Sequence, residues 1–333
     1  MRILAGRDEN PDRHPRSAGS MTESGSEHAR RLLAKHFGPT RLVSAPSLSR
    51  PGRAVYLKLE CELPTGSFKV RGALYSLSVN LERRALGEVV AASTGNHGAA
   101  VAYAARLLGL QATIFLPEHP NPVKAARIAD LAAKIVEGGK DLTEAIDRAA
   151  TYADGHRAFF LHDASDPDIP GGTATIAMET LDQLPSTDVI YVPVGDTALI
   201  RGVASAAKSR HPGIRIVGVQ AARAPAYAMS WREGTVVVTD SSETIADGLA
   251  VRRPLVENVA AIRALVDDMR LVTEEELRSA IDFLFAREQI VAEPAGAAAA
   301  AALLGEPGDR TTGTIVLIVS GSNLAPELRP DHR

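Results

Sequence analysis

The chain has 333 residues, with 37 Lys and Arg against 40 Asp and Glu, a formal charge of −3 that excludes a dedicated binder of nucleic acid or anionic membrane. Hydrophobic residues at 45% and charged residues at 23% exclude wholesale disorder. Aromatic residues are only 4%, so aliphatic side chains and alanine must fill the core, and one cysteine, Cys61, excludes an internal disulfide framework or a cysteine-cluster zinc site. No apolar run reaches membrane-spanning length, so no membrane partner is expected, and a lone thiol suits the reducing cytoplasm.

The first segment is polar, rich in Arg, Ser and Gly, and lacks an apolar signal core, so residues 1–26 are expected to form a disordered tail in which Met21 offers a later start. Strand-length apolar runs then alternate with amphipathic segments. Val89–Ala92 reads as strand, Gly98–Leu108 as helix, Ala112–Leu116 as strand and Asn121–Leu131 as helix. Lys134–Glu137 follows as strand, Asp141–Ala153 as helix and Ala158–Leu161 as strand. A second series runs through strands Val189–Val194, Ile214–Val219 and Thr314–Val319 and helices Leu199–Ser209, Glu274–Glu288 and Ala295–Leu304. This rhythm predicts an α/β protein of two open, mostly parallel domains with a ligand cleft between them. The larger domain is expected to take residues 27–87 and 165–333 and the smaller 88–164, with Asp163–Gly172 as the crossing.

Four loops have compositions unlike plain connectors. Pro64–Ala73 places a glycine, two hydroxyls and Lys69 ahead of a helix, where a lysine either meets solvent or is aimed into a cleft as a nucleophile. Ser93-Thr94-Gly95-Asn96-His97 follows a strand and presents hydroxyls, an amide and N–H groups at a helix start, which suits a carboxylate ligand as well as a simple helix cap. Gly195-Asp196-Thr197-Ala198-Leu199 has the position of a phosphate cradle but not the lysine of a P-loop or the spacing of a dinucleotide fingerprint. Ser320-Gly321-Ser322-Asn323, taken alone, is a polar turn.

Taken together, LKLECELPTGSFKVRGA, STGNHG, the glycine loop, ADGLAV, EPAGA and IVSGSN stand in an order that resembles the fold-type-II pyridoxal-phosphate enzymes, within them the threonine/serine dehydratase and serine racemase branch. The resemblance runs from about residue 38 to 325 and implies pyridoxal 5'-phosphate as cofactor, a small amino-acid substrate and a homodimer. It implies that Lys69 forms the Schiff base with the cofactor, that Phe68 and Gly248 flank its ring, and that Asn96 meets its phenolic oxygen. Ser320 would meet the ring nitrogen, tempering the ring as an electron sink. The loop from Ser93 to His97 would grip the substrate carboxylate, and Glu293 matches a family glutamate whose role is either at the site or structural. The implied reaction is an ammonia-lyase dehydration of L-threonine, L-serine or a related β-hydroxy amino acid. The alternatives are a racemase or β-replacement enzyme, or a cofactor-binding protein without turnover.

Several positions depart from the family pattern. Asp196 stands in a run the family fills with glycine. A carboxylate 4 Å from a phosphate would cost about 4 kcal/mol at intermediate dielectric. Asp196 is therefore expected to turn away, capping the next helix or pairing with Arg201, while Thr197 offers its hydroxyl. Thr94 stands where racemases of the branch carry serine as a second acid/base, so it is the candidate second catalytic hydroxyl, with a rotation its methyl restricts. Gln220 replaces a glutamate of metal-activated relatives, and no metal site is expected. Gly172-Thr173-Ala174-Thr175 replaces Gly-Gln-Gly-Thr and puts the pocket shape in question. Histidines other than His97, His162 among them, show no ligand spacing and read as surface, tail or loop residues. The chain after Asn323 is too short for an amino-acid-sensing domain, so feedback of that kind is not expected.

Overall fold

Runs such as VIYVP, RIVGVQA and GTIVLIV are apolar at nearly every position, the pattern of strands buried on both faces. The computed structural model describes residues 23–93, 95–120, 122–306 and 311–328. In chain order the elements are α1 (Glu23–Leu33), β1 (Leu42–Ser44), β2 (Arg53–Leu59), α2 (Lys69–Arg83), β3 (Glu88–Ala92), α3 (Asn96–Leu107) and β4 (Gln111–Leu116). Next come α4 (Pro122–Ala129), β5 (Lys134–Glu137), α5 (Leu142–His156), β6 (Phe159–Phe160), α6 (Ile169–Gln183), β7 (Val189–Pro193) and α7 (Ala198–Arg210). The last are β8 (Arg215–Ala221), α8 (Ala226–Glu233), α9 (Val256–Leu265), β9 (Asp268–Val272), α10 (Glu274–Glu288), α11 (Pro294–Leu304) and β10 (Gly313–Val319).

The strands form a six-stranded sheet in the order β1-β2-β10-β7-β8-β9 and a four-stranded sheet in the order β5-β4-β3-β6. All ladders are parallel except β1 on β2. The protein is thus the α/β molecule with parallel-dominated sheets that the sequence predicts. In the large sheet, Ile315, Leu317 and Val319 of β10 pack toward α10 and α11, while Val316 and Ile318 pack toward α6 and α7. In the small sheet, Val89 and Ala91 join α2 and α3, and Val90 joins α5.

Helix boundaries follow local chemistry. Asp141 accepts the Glu144 N–H at 2.9 Å to start α5, and Thr273 with Glu276 forms a reciprocal capping box at α10. The alanine run of α11 is buried along its whole length, because only small side chains let the helix lie this close to its neighbours; a Cβ on Gly296 would stand 2.2 Å from the Gly321 carbonyl oxygen. Two expectations are corrected. Residues 23–26, assigned to the tail, begin α1, while 1–22 lie outside the described residues. The crossing Asp163–Gly172 runs into a helix, α6, which carries Pro in its first turn; the N–H groups of its capping residue Asp168 and its first residue Ile169 donate to Asp166 at 3.0 Å each. Gly171 and Gly172 are there because α6 crosses α2 closely: a Cβ on Gly172 would lie 2.3 Å from the Arg71 carbonyl oxygen. Thr173 and Thr175 bond within this packing, to Ala198 O and Arg71, and do not line the cleft.

Beside this crossing lies a buried ionic cluster. Arg71 pairs with Glu60 at 2.7 Å and Glu179 at 2.6 Å, and Lys58 reaches Glu179 at 2.8 Å and the Thr40 carbonyl at 2.9 Å. It anchors α2 to β2 and α6, two residues from Lys69. Gln220, the residue of the doubted metal position, is wholly buried and accepts the Ala228 N–H at 2.9 Å, tying β8 to α8. Tyr227 of α8 bonds Asn258 and Leu255, so this helix belongs to the core and not to the cleft.

Candidate active site

The carboxyl ends of β2, β3, β7 and β10 all open on one crevice, the place where open parallel sheets receive ligands. There the four loops singled out in the sequence converge on a cavity of about 260 Å³. The two sheets share the wall: Ser93, Asn96 and His97 come from the small one, and Lys69, Thr197 and Ser320 from segments after strands of the large one.

Lys69 is the first residue of α2, and its Nζ pairs with Asp163 and lies 5.2 Å from the centre of the Phe68 ring. The turn before it is held by the last strand: the Phe68 N–H donates to the Ser320 carbonyl at 3.0 Å, and Ser322 N–H to the Gly66 carbonyl at 2.9 Å. Ser320 is buried, and its Oγ donates to the Ala295 carbonyl at 3.3 Å. Asn96 opens α3 and is bonded on both sides, donating to Glu293 at 2.6 Å and accepting from Asn323. Glu293 is buried and also gives its N–H to the Gly321 carbonyl at 3.0 Å.

In the loop after β3, Ser93 Oγ accepts the Gly95 N–H at 3.2 Å, and the residue capping α3 is Gly95, without a side-chain bond. His97 is buried with Nε2 3.0 Å from the Leu161 carbonyl and Nδ1 3.7 Å from Asp163. Burial pushes its imidazole below the usual value, with Asp163 opposing. Thr94 lies outside the described residues.

The loop after β7 turns sharply into α7. A Cβ on Gly195 would stand 2.2 Å from the Gly248 carbonyl oxygen, so only glycine fits between these two loops. Thr197 takes φ 67° as the residue before α7, and its Oγ1 is buried with no hydrogen-bond partner among the described residues. The expectation for Asp196 is corrected here. It lines the cavity; it neither caps α7, whose capping residue Thr197 makes no side-chain bond, nor pairs with Arg201, which turns instead to the Ala164 carbonyl at 3.3 Å. Burial, reinforced by the charge of Asp163, raises the Asp196 carboxyl above the usual range against the pull of Lys69, His162 and Arg201.

Among the cavity residues that were not sequence candidates, three bear on its chemistry. Asp163 is the main one; burial opposes its ionisation, but Lys69 and His97 outweigh burial and hold its carboxyl at about 2. His162, set aside as a loop residue, lines the cavity and meets Ser165 at 3.1 Å. Asn323 fixes the orientation of Asn96 through the bond just described. For Asp163 and His162 the only sequence signal was their place beside a strand end.

A family model described as pyridoxal-phosphate dependent enzyme matches residues 33–321. The chain belongs to the pyridoxal-phosphate dependent enzymes. Among its relatives is the L-threonine ammonia-lyase of Geobacter sulfurreducens, 38% identical over 294 residues, a match covering 88% of this chain and 73% of the relative. Among solved structures, maize serine racemase superposes with a TM-score of 0.86 at 29% identity, covering 93% of this chain and 95% of that one. The processed form of threonine deaminase isoform 2 from Solanum lycopersicum superposes with a TM-score of 0.84 at 29% identity, covering 93% and 92%. The cavity of this pyridoxal-phosphate dependent enzyme fits the cofactor by its own chemistry. It holds the Lys69 amine, and beside the unpartnered Thr197 hydroxyl the first N–H groups of α7, unbonded within the helix, open on it where a side chain on Gly195 would not fit.

Proposed function

We propose that the chain is an ammonia-lyase that converts L-threonine, L-serine or a related β-hydroxy amino acid to a 2-oxo acid and ammonia. The observation that carries this reading is the convergence of Lys69, Asn96 and Ser320 with the α7 cradle on one cavity, in a chain 38% identical to an L-threonine ammonia-lyase over most of its length.

In this reading Lys69 Nζ holds pyridoxal phosphate, Thr197 and the N–H groups opening α7 hold its phosphate, Asn96 its phenolic oxygen and Ser320 its ring nitrogen. When bound, the cofactor supplies an electron sink that acidifies the substrate Cα–H and lets a β-hydroxyl depart. Phe68 and Gly248 bound the slot for the ring, and the absence of a side chain at Gly248 leaves room beside Ala295, 3.1 Å from where a Cβ would sit. Ser93, Gly95, Asn96 and His97 face the same cavity and would orient the substrate carboxylate by N–H and hydroxyl donors. Lys69 Nζ, with the cofactor and substrate bound, would be the general base that takes the proton from Cα. Asp163, in contact with that amine, steadies its position. Glu293 holds the Asn96 amide so that its oxygen end is fixed by Asn323.

The same proposal includes a homodimer in the cytoplasm and a division into domains at 27–87 with 165–333 and 88–164, all from the resemblance and the strand pattern. Light scattering of the purified chain tests the dimer. The activity is tested with a panel of hydroxy amino acids assayed for ammonia and 2-oxo acid, with chiral analysis of recovered serine to detect racemisation. Borohydride reduction followed by peptide mapping is expected to leave a pyridoxyl mass at Lys69, and Lys69→Ala is expected to lose turnover by at least about a thousandfold. A tag on another peptide, or no oxo acid from any hydroxy amino acid, would overturn the proposal.

A further inference from the structure

Asp196 occupies the one place in the cradle where a negative charge is least welcome. It lies between Gly195, pressed against the Gly248 carbonyl, and Thr197, whose hydroxyl is 2% exposed as part of its residue and has no partner among the described residues. The N–H groups opening α7 and that hydroxyl form a built site for a dianionic group. Asp196, part-buried, lines the same cavity, and among the described residues only its backbone carbonyl is bonded, by Asn258 at 3.4 Å, while its carboxyl makes no hydrogen bond or ion pair. The charged and titratable groups that face it are Lys69 on α2, His162 and Asp163 from the segment after β6, Arg201 on α7 and Tyr227 on α8. The two strongest cations among these are engaged elsewhere, Lys69 with Asp163 and Arg201 with the Ala164 carbonyl at 3.3 Å.

We propose that Asp196 serves the cradle as a neutral carboxylic acid that donates a hydrogen bond to the phosphate of pyridoxal phosphate. The inference rests on the cofactor reading above and adds a residue-specific, pH-dependent element to it. The two neighbouring acids divide the work. Asp163 is held ionised by its contact with Lys69, while partial burial and the charge of Asp163 push the Asp196 carboxyl up, the direction in which paired acids with different surroundings divide their protonation states. A protonated carboxyl is a donor and a phosphate offers only acceptors on its terminal oxygens, so the substitution that looks repulsive becomes a recognition contact. The sign is fixed. The contact is present while Asp196 carries its proton and turns to repulsion as pH rises through its raised pKa.

The test is equilibrium titration of the full chain, freed of cofactor, with pyridoxal phosphate and with pyridoxal across the pH range, for the parent, D196N and D196S. Asparagine and serine keep a donor at every pH, and pyridoxal lacks the phosphate, so the pH dependence of the lysine linkage cancels in the ratios. The expected result is a parent affinity for pyridoxal phosphate that falls at least about tenfold relative to D196N from mildly acidic to alkaline pH. The same ratio for pyridoxal stays flat. D196S repeats the D196N profile and carries the test should D196N fold poorly. A parent-to-variant ratio for pyridoxal phosphate that does not change with pH overturns the inference, as does a D196G protein that binds it more tightly than the parent at acid pH. A parent that takes up neither compound at any pH overturns the cofactor reading itself, and this inference with it.

Discussion

Replacing Gly296 with alanine would ordinarily stabilise a helix by about 1 kcal/mol, because alanine loses less backbone entropy and shields the helix better than glycine. At this position the sign is expected to reverse. The added methyl would sit 2.2 Å from the Gly321 carbonyl oxygen and 3.0 Å from the Gly321 nitrogen, and both are backbone atoms that cannot swing aside. Restoring an ordinary contact requires α11 or the 320–323 turn to move by about 1 Å, and overpacking of that kind costs about 1–3 kcal/mol. The turn is held by the Phe68 N–H on the Ser320 carbonyl and the Glu293 N–H on the Gly321 carbonyl, each 3.0 Å, so the shift is passed to the residue next to Lys69. Gly296→Ala should therefore forfeit the helix gain, lose up to about 2 kcal/mol in denaturant unfolding, and weaken cofactor uptake. The matched control, Ala299→Gly, should lose at least about 1 kcal/mol and leave uptake unchanged. A Gly296→Ala protein about 1 kcal/mol more stable than the parent, with unchanged cofactor absorbance, would refute the close-contact reasoning.

Glu179 is the anion shared by Arg71 and Lys58, and removing one partner of a buried charge cluster strands the others, so Glu179→Ala is expected to cost about 3–5 kcal/mol by chemical denaturation at neutral pH. Burial works against ionisation of this carboxyl, but Arg71 and Lys58 prevail and hold it below the usual range; its stabilisation is therefore present above the ordinary glutamate pKa and lost as pH falls through the lowered one. The variant should show a shallower loss of stability on acidification than the parent, and a parallel loss would contradict this account. Cys61 is pushed up to about 12 by burial with Glu62 and Glu60 adding to the effect. Its alkylation by iodoacetamide at neutral pH should be about a thousandfold slower in the folded protein than after denaturation, and a native rate within about tenfold of the denatured one would show that the thiol is not so suppressed.

Elements whose burial and ends are both written locally were the ones legible in the sequence. The strand at Lys134–Glu137 and helix α10, with its Thr273 capping box, were placed at the ends the structure shows. Helix α6 was not, because its first residues fall in the stretch Asp163–Gly172 that reads as a crossing; its proline sits in a first turn that needs no N–H, and its glycines answer to α2, a neighbour remote in sequence. Strand β9 was missed because Asp268 and Arg270 interrupt an edge strand that is buried only at Met269 and Val272. The cavity loops around Lys69, Asn96 and Ser320 were visible as unusual compositions after strands. Asp163 was not, since its bond to Lys69 spans 94 positions of chain and no local pattern announces it. The orientation of Asp196 was misjudged for a related reason: Arg201 is only five residues away in sequence, yet the Ala164 carbonyl from across the fold claims it.

Asn96 is the first residue of a helix that belongs to the small sheet, and both ends of its amide are moored on residues at the carboxyl edge of the large one, Glu293 and Asn323. The bonds from Glu293 and Asn323 therefore set the pose of the first turn of α3 from the far side of the cleft, and the small sheet's other lining residues, Arg127 of α4 and Leu142 of α5 among them, face the same cavity.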